Sequence, residues 1–190
     1  MSAFVFVDTN VFVYARDSRE AAKQRLAEES LERLWKERTG RTSVQVLNEC
    51  YWNLTRKIKP ALSADKAWDL VQSLFEWNPQ PIDAAVLMRA REIERSYPLA
   101  WWDSLIVGAA QAQNCTILLT EDLQDGAIYG GVTIRNPFIA GVAQIAAEYS
   151  APPISTRPYR GRGRPRSKES RSADGIDART VPSALGSSKL

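Results

Sequence analysis

The run Phe4-Val5-Phe6-Val7 constrains what this chain can fold into more than any other segment. Four apolar, β-prone side chains in succession leave no polar face, so a strand built from them has to be covered on both sides. Thr116 to Leu119 is a second such run, Val132 to Ile134 predicts a short edge strand, and Thr42-Ser43-Val44 reads as another short strand. Between them the apolar residues recur at helical spacing. Residues 18–39 place Leu26, Leu31, Leu34 and Trp35 on one face and end at Gly40, the expected αL cap. A stripe of Leu47, Tyr51, Leu54 and Ile58 predicts a helix over about 45–58, stopped by Pro60. Ser63 predicts the cap of a helix running to Trp77, and residues 84–96 and 102–113 read as two more. Short buried strands interleaved with helices predict an α/β fold, a three-layer sandwich with a short, mostly parallel central sheet flanked by helices. In such sheets ligands collect at the carboxyl ends of the strands, so the residues just after strands matter most.

The composition shifts near residue 150. Residues 151–190 hold nine Lys/Arg against three Asp/Glu, five of the ten prolines, seven serines and one aromatic, Tyr159. So few apolar side chains cannot offset the entropy of ordering the segment. The expectation is a globular domain over 1–147 and a disordered basic tail over 148–190. Within the tail, the arginines from Arg157 to Arg166 fit three roles: a solvated solubility segment, salt-sensitive attraction to phosphates, or minor-groove contact. The third arises because Gly163-Arg164-Pro165 resembles an AT-hook, which implies contact with A·T-rich DNA. Nothing at the N-terminus reads as a signal peptide, no run reaches the ~20 apolar residues of a membrane span, and Cys50 and Cys115 fit a reducing compartment. The expected location is the cytoplasm.

The chain has no histidine among its 190 residues. That excludes Ser–His–Asp and Cys–His catalysis, His-mediated cleavage of RNA through its 2′-hydroxyl, and zinc sites that need histidine. Two cysteines cannot complete an all-thiolate zinc site. Enzyme chemistry would fall to carboxylates and to a metal held by oxygen ligands.

Several carboxylates stand out by position. Asp8 is the only charged residue between Met1 and Arg16 and ends the first predicted strand, followed by Thr9 and Asn10. Taken alone, Asp8 or Asn10 reads more commonly as the cap of the following helix; the other reading is a functional acid at the sheet's edge. Asp103 follows Trp101-Trp102 in a run without other charges, before an apolar helix, and capping and catalysis are both open to it. Asp122 lies just beyond the strand at 116–119, and Asp125-Gly126 reads as a turn. Glu49 falls opposite the Leu47/Tyr51/Leu54 stripe, so its pattern alone predicts a solvated surface residue. A haloacid-dehalogenase-like phosphatase also begins with a strand ending in Asp, but it requires Asp-x-Asp and here the third position is Asn10.

As a set, Asp8-Thr9-Asn10, Glu49, Asp103 and Asp122 after Thr120 resemble the PIN-domain ribonucleases, and most nearly the VapC toxins of bacterial toxin–antitoxin pairs. The resemblance covers roughly residues 3–145. It implies that Asp8, Glu49, Asp103 and Asp122 bind the metal, with Thr9, Asn10, Ser43 and Thr120 supporting them and Asp125 as an auxiliary. It implies Mg2+ or Mn2+ as cofactor, RNA as substrate, an antitoxin that occludes the acids, and a homodimer. Clustered carboxylates resist ionising together, and a divalent cation reverses this while activating water at neutral pH. The expected reaction is metal-dependent hydrolysis of an RNA phosphodiester, leaving a 5′-phosphate and a 3′-hydroxyl. The alternative is a non-catalytic protein that binds RNA or, through its tail, A·T-rich DNA. Two features depart from the family pattern: the tail, and Trp101-Trp102, whose bulk beside Asp103 bears on access to the acids. Trp35, Trp68 and Trp77 could serve an interface or only the core, and core use is expected for most of them.

Overall fold

The structure, a computed structural model, describes residues 3–139. The expected boundary at 147/148 and the basic tail with its AT-hook-like motif lie outside the described residues. Strand β1 (Val5–Val7) is buried at all three positions, and so is β3 (Ile117–Leu119), as continuous apolar runs require when helices cover both faces. The sheet has five strands in the order β2-β1-β3-β5-β4, where β2 is Gly40–Arg41, β4 is Ile128–Tyr129 and β5 is Val132–Arg135. All pairings are parallel except β4 with β5.

Six α-helices flank the sheet among the described residues: α1 (Thr9–Tyr14), α2 (Ala21–Glu37), α3 (Val44–Arg56), α4 (Ala64–Ser73), α5 (Ala84–Ser96) and α6 (Trp101–Ala112). Helix α1 packs against both α2 and α3, α3 against α4, and α5 pairs with α6. Short polar caps set their starts: Ser43 accepts from the Val46 N–H at 3.3 Å, Ser63 from Lys66, and Asp83 from Val86 at 2.9 Å. None of the helices is long and apolar enough to cross a membrane.

Five local expectations are corrected. The αL residue closing α2 is Arg38 (φ 56°), not Gly40. Gly40 lies in β2, where a Cβ would stand 2.6 Å from three ring atoms of Trp77, so its small size serves a close approach rather than a turn. The strand expected at 42–44 sits two residues earlier, and Ser43 forms only an isolated parallel bridge to Gln80. β5 is not an edge strand, because the hairpin strand β4 covers it. The helix from Ser63 tightens to a 3-10 turn at Leu74–Trp77. Of the three tryptophans assigned mainly to the core, only Trp77 is buried. Trp35 and Trp68 are 44% and 50% exposed.

The strand order reverses between β1 and β3: the chain runs from β1 to β2 on one side and returns to β3 on the other. A crevice opens outside the carboxyl ends of strands at such a reversal. The register pairs Val7 with Leu119, so Asp8 and Thr120 emerge side by side, and the Asp8 N–H bonds to the Leu119 carbonyl at 3.0 Å.

Candidate active site

Asp8 plays both roles left open by the sequence. It is the N-cap of α1, accepting from the Thr9 N–H at 2.6 Å, and its other oxygen, Oδ2, faces the β3 side. There it accepts from the Thr120 hydroxyl at 2.7 Å and the Asn10 amide at 3.2 Å. Asn10 Nδ2 also donates to Thr120 Oγ1 at 3.0 Å and to Asp122 Oδ2 at 3.1 Å. Thr120 Oγ1 in turn accepts from the Asp122 N–H at 3.1 Å, which folds the chain after β3 back toward Asp8. Thr120 and Asn10 thus tie the acid after β1 to the acid after β3.

Glu49 reaches the same place from α3. Helix α3 packs against α1, and the Thr9 hydroxyl donates to Glu49 Oε2 at 2.9 Å. Gln45, one turn earlier, donates from Nε2 to Glu49 Oε1 at 2.9 Å. Glu49 is therefore half-buried beside other carboxylates instead of solvated on a free surface.

Asp8, Thr9, Asn10, Glu49 and Asp122 line one cleft of about 400 Å³. Asp103 sits half-buried in the first turn of α6, outside that lining but within reach of its field. Burial holds the Asp103 carboxyl above the ordinary aspartate range, and the charges of Asp122 and Glu49 add to the rise. Burial also pushes Asp8 up to about 6. The donors Thr120 and Thr9 oppose that rise, and the charges of Asp122 and Glu49 reinforce it. The charges of Asp122 and Glu49 thus act on both Asp8 and Asp103.

Ser43 and Asp125 stand elsewhere. Ser43 is fully buried at the cap of α3 and acts on the cleft only by fixing the helix that carries Glu49. Asp125 accepts from the Asn136 N–H at 2.8 Å and holds the turn its sequence predicts.

Several further residues line the cleft. Asn53 and Lys57 follow Glu49 at successive intervals of four on α3 and its C-cap and line the same wall. Helical spacing from Glu49 would have found them. Glu121 lines the cleft as well but is neutralised by Lys23 at 2.5 Å, and Asp17 is held by Arg19. Lys57 makes no ion pair among the described residues.

The donor set is all oxygen, which suits magnesium or manganese. Among the described residues no three acidic, cysteine or histidine side chains are gathered closely enough to hold an ion by themselves. Magnesium does not need such a cage, since it keeps several waters and takes one or two carboxylates plus substrate phosphate. Two observations fit that mode. Asp8 is a buried carboxylate without a cationic partner among the described residues, and Asn10 Oδ1 is buried with no hydrogen-bond partner.

The family model of the PIN domain matches residues 5–124. The chain belongs to the PIN-domain family, whose members are generally nucleases. Among solved structures it is similar to a chain of VapBC2 from Rickettsia felis bound to a DNA fragment from their promoter, with a TM-score of 0.52 and 20% identity, covering 70% of this chain and 98% of that one. At that identity the likeness speaks for the fold. No curated protein matches the chain.

Proposed function

We propose that this chain is a metal-dependent endoribonuclease acting as the VapC-type toxin of a toxin–antitoxin pair. The observation that carries this reading is the convergence of Asp8, Glu49 and Asp122, from three separate elements, on one cleft at the strand-order reversal, with Asp103 coupled to them by charge. Asp8, Glu49, Asp103 and Asp122 would hold Mg2+ or Mn2+, which when bound supplies an activated water and charge neutralisation at the phosphate. Thr9, Asn10 and Thr120 aim the carboxylates, and Ser43 positions the helix carrying Glu49. Lys57 offers an unpaired cation to the phosphodiester backbone.

The solved relative is a toxin–antitoxin complex on promoter DNA. That likeness supports an antitoxin as partner; RNA as substrate, a second copy of the chain and a place in the cytoplasm belong to the same proposal and rest on the sequence resemblance alone. The test is cleavage of single-stranded RNA by purified protein with magnesium or manganese. Cutting is expected to leave 5′-phosphate and 3′-hydroxyl ends, to stop in EDTA, and to be abolished by Asp8→Asn or Asp103→Asn. Cutting that survives both substitutions, or that ignores EDTA, refutes the reading. Binding of RNA without any cutting would mark a nucleic-acid-binding protein instead.

A further inference from the structure

Trp101 and Trp102 precede Asp103, and their bulk raised the question of access to the acids. They divide the task. Trp101 is half-buried against the core, whereas Trp102 is 64% exposed. Trp102 does not cover the acid cleft. It stands at a second cleft of about 590 Å³, whose walls include Val44, Ile82 and Leu105 and whose polar members include Gln45 and Glu49. Glu49 lines both clefts, so the second adjoins the first at that residue.

Gln45 adds an independent observation. Its side chain is 9% exposed, and its Nε2 is committed to the Glu49 carboxylate, which fixes the orientation of the amide. That leaves Gln45 Oε1 buried with no donor. A buried acceptor without a partner is costly unless something arrives to donate to it. The cleft therefore offers a large exposed aromatic face and aliphatic walls next to the acids, with an unpartnered amide acceptor buried in its lining. Planar heteroaromatic rings with N–H groups on their edge match that combination, and single-stranded RNA is read by stacking unpaired bases on aromatic side chains while bonding their edges.

Resting on the nuclease reading above, we propose that this second cleft is a nucleobase subsite: it receives a base flanking the scissile phosphate of single-stranded RNA, stacked on Trp102 and donating to Gln45 Oε1. Trp102 is then a specificity-determining residue that holds the strand in register over Asp8, Glu49 and Asp103.

The experiment uses the full chain with magnesium and a set of short oligoribonucleotides cut at one site, each made abasic at one position flanking the cut. For wild type, removing the base at the subsite position should raise KM by roughly tenfold, with a smaller effect on kcat. In Trp102→Ala this penalty should disappear, so that base-bearing and abasic substrates become equivalent. Trp102→Phe should restore most of it, and an unchanged circular dichroism melt shows that the variants are folded. Wild type that cuts RNA while Trp102→Ala keeps the full abasic penalty overturns the subsite and leaves the nuclease reading standing. Wild type that cuts no RNA overturns both. A shift of Trp102→Ala to a different oligomeric state, measured by light scattering, would assign this face to a protein interface and also overturn the subsite.

Discussion

Asp8→Asn tests the electrostatics of the cleft without any assumption about substrate. In the folded, metal-free protein the Asp8 carboxyl lies at about 6 instead of 3.8, with burial as the main cause. The gap corresponds to about 3 kcal/mol between the two protonation states. Because the folded value is raised, the neutral acid is the form the fold prefers. Its stabilising contribution is fully present below pH 3.8 and is lost as the pH rises through about 6. The asparagine variant has no such titration. It does lose good geometry toward the donors Thr120 and Asn10, but that cost is the same at every pH and cancels in the comparison. The stability of the variant relative to wild type should therefore rise by about 2 kcal/mol between pH 4 and pH 7.5, with most of the change complete by about pH 6. Urea unfolding of both proteins in EDTA across that range measures it. Saturating magnesium should flatten the difference, because a bound cation favours the ionised carboxylate. A relative stability constant to within about 0.5 kcal/mol from pH 4 to 7.5 in EDTA would show that Asp8 is not held in a desolvated, acid-crowded site.

Three further outcomes follow from neighbouring contacts. Thr120→Val removes the hydroxyl that donates to Asp8 and accepts from Asn10 and Asp122, and should weaken magnesium binding or RNA cutting by roughly 10–100-fold, read by calorimetry and initial rates. Gly40→Ala places a methyl group 2.6 Å from the Trp77 ring and should cost about 1–3 kcal/mol in chemical denaturation while leaving magnesium affinity intact. The thiols of Cys50 and Cys115 are both pushed up to about 12 by burial, so neither should react with a thiol reagent at pH 8 until the protein unfolds.

The central strands were legible because their evidence is local. An apolar run covered on both faces reads the same in the chain and in the fold, as β1 and β3 show. The edges of the sheet were not legible. Strand β2 has only two residues, Gly40 and Arg41, and pairs because α2 delivers it beside β1. β5 looked like an edge because the hairpin strand that covers it, Ile128–Tyr129, is short and largely exposed. Gly40 misleads for a related reason. Glycine after a helix suggests an αL cap, but Arg38 adopts that conformation and the glycine is needed two residues later for Trp77.

The acids divide along the same line. Asp8 and Asp122 follow strands, and in a parallel sheet the position just past a strand already implies a shared edge, so their meeting could be inferred from chain order. Glu49 could not be placed that way. Assigning helix faces by hydrophobicity treats whatever lies opposite the apolar stripe as water. On α3 Glu49, Asn53 and Lys57 line the cleft instead, with Glu49 held by the Thr9 hydroxyl and by Gln45 one turn earlier. A polar helix face turned toward other carboxylates instead of solvent is costly, since like charges gain nothing from one another. Such a row persists where something outside the chain repays it, and its chemistry names that something in order along the helix: an acceptor in Gln45 Oε1, a carboxylate in Glu49, a cation in Lys57. The combination fits a nucleotide and its metal better than it fits a packed core.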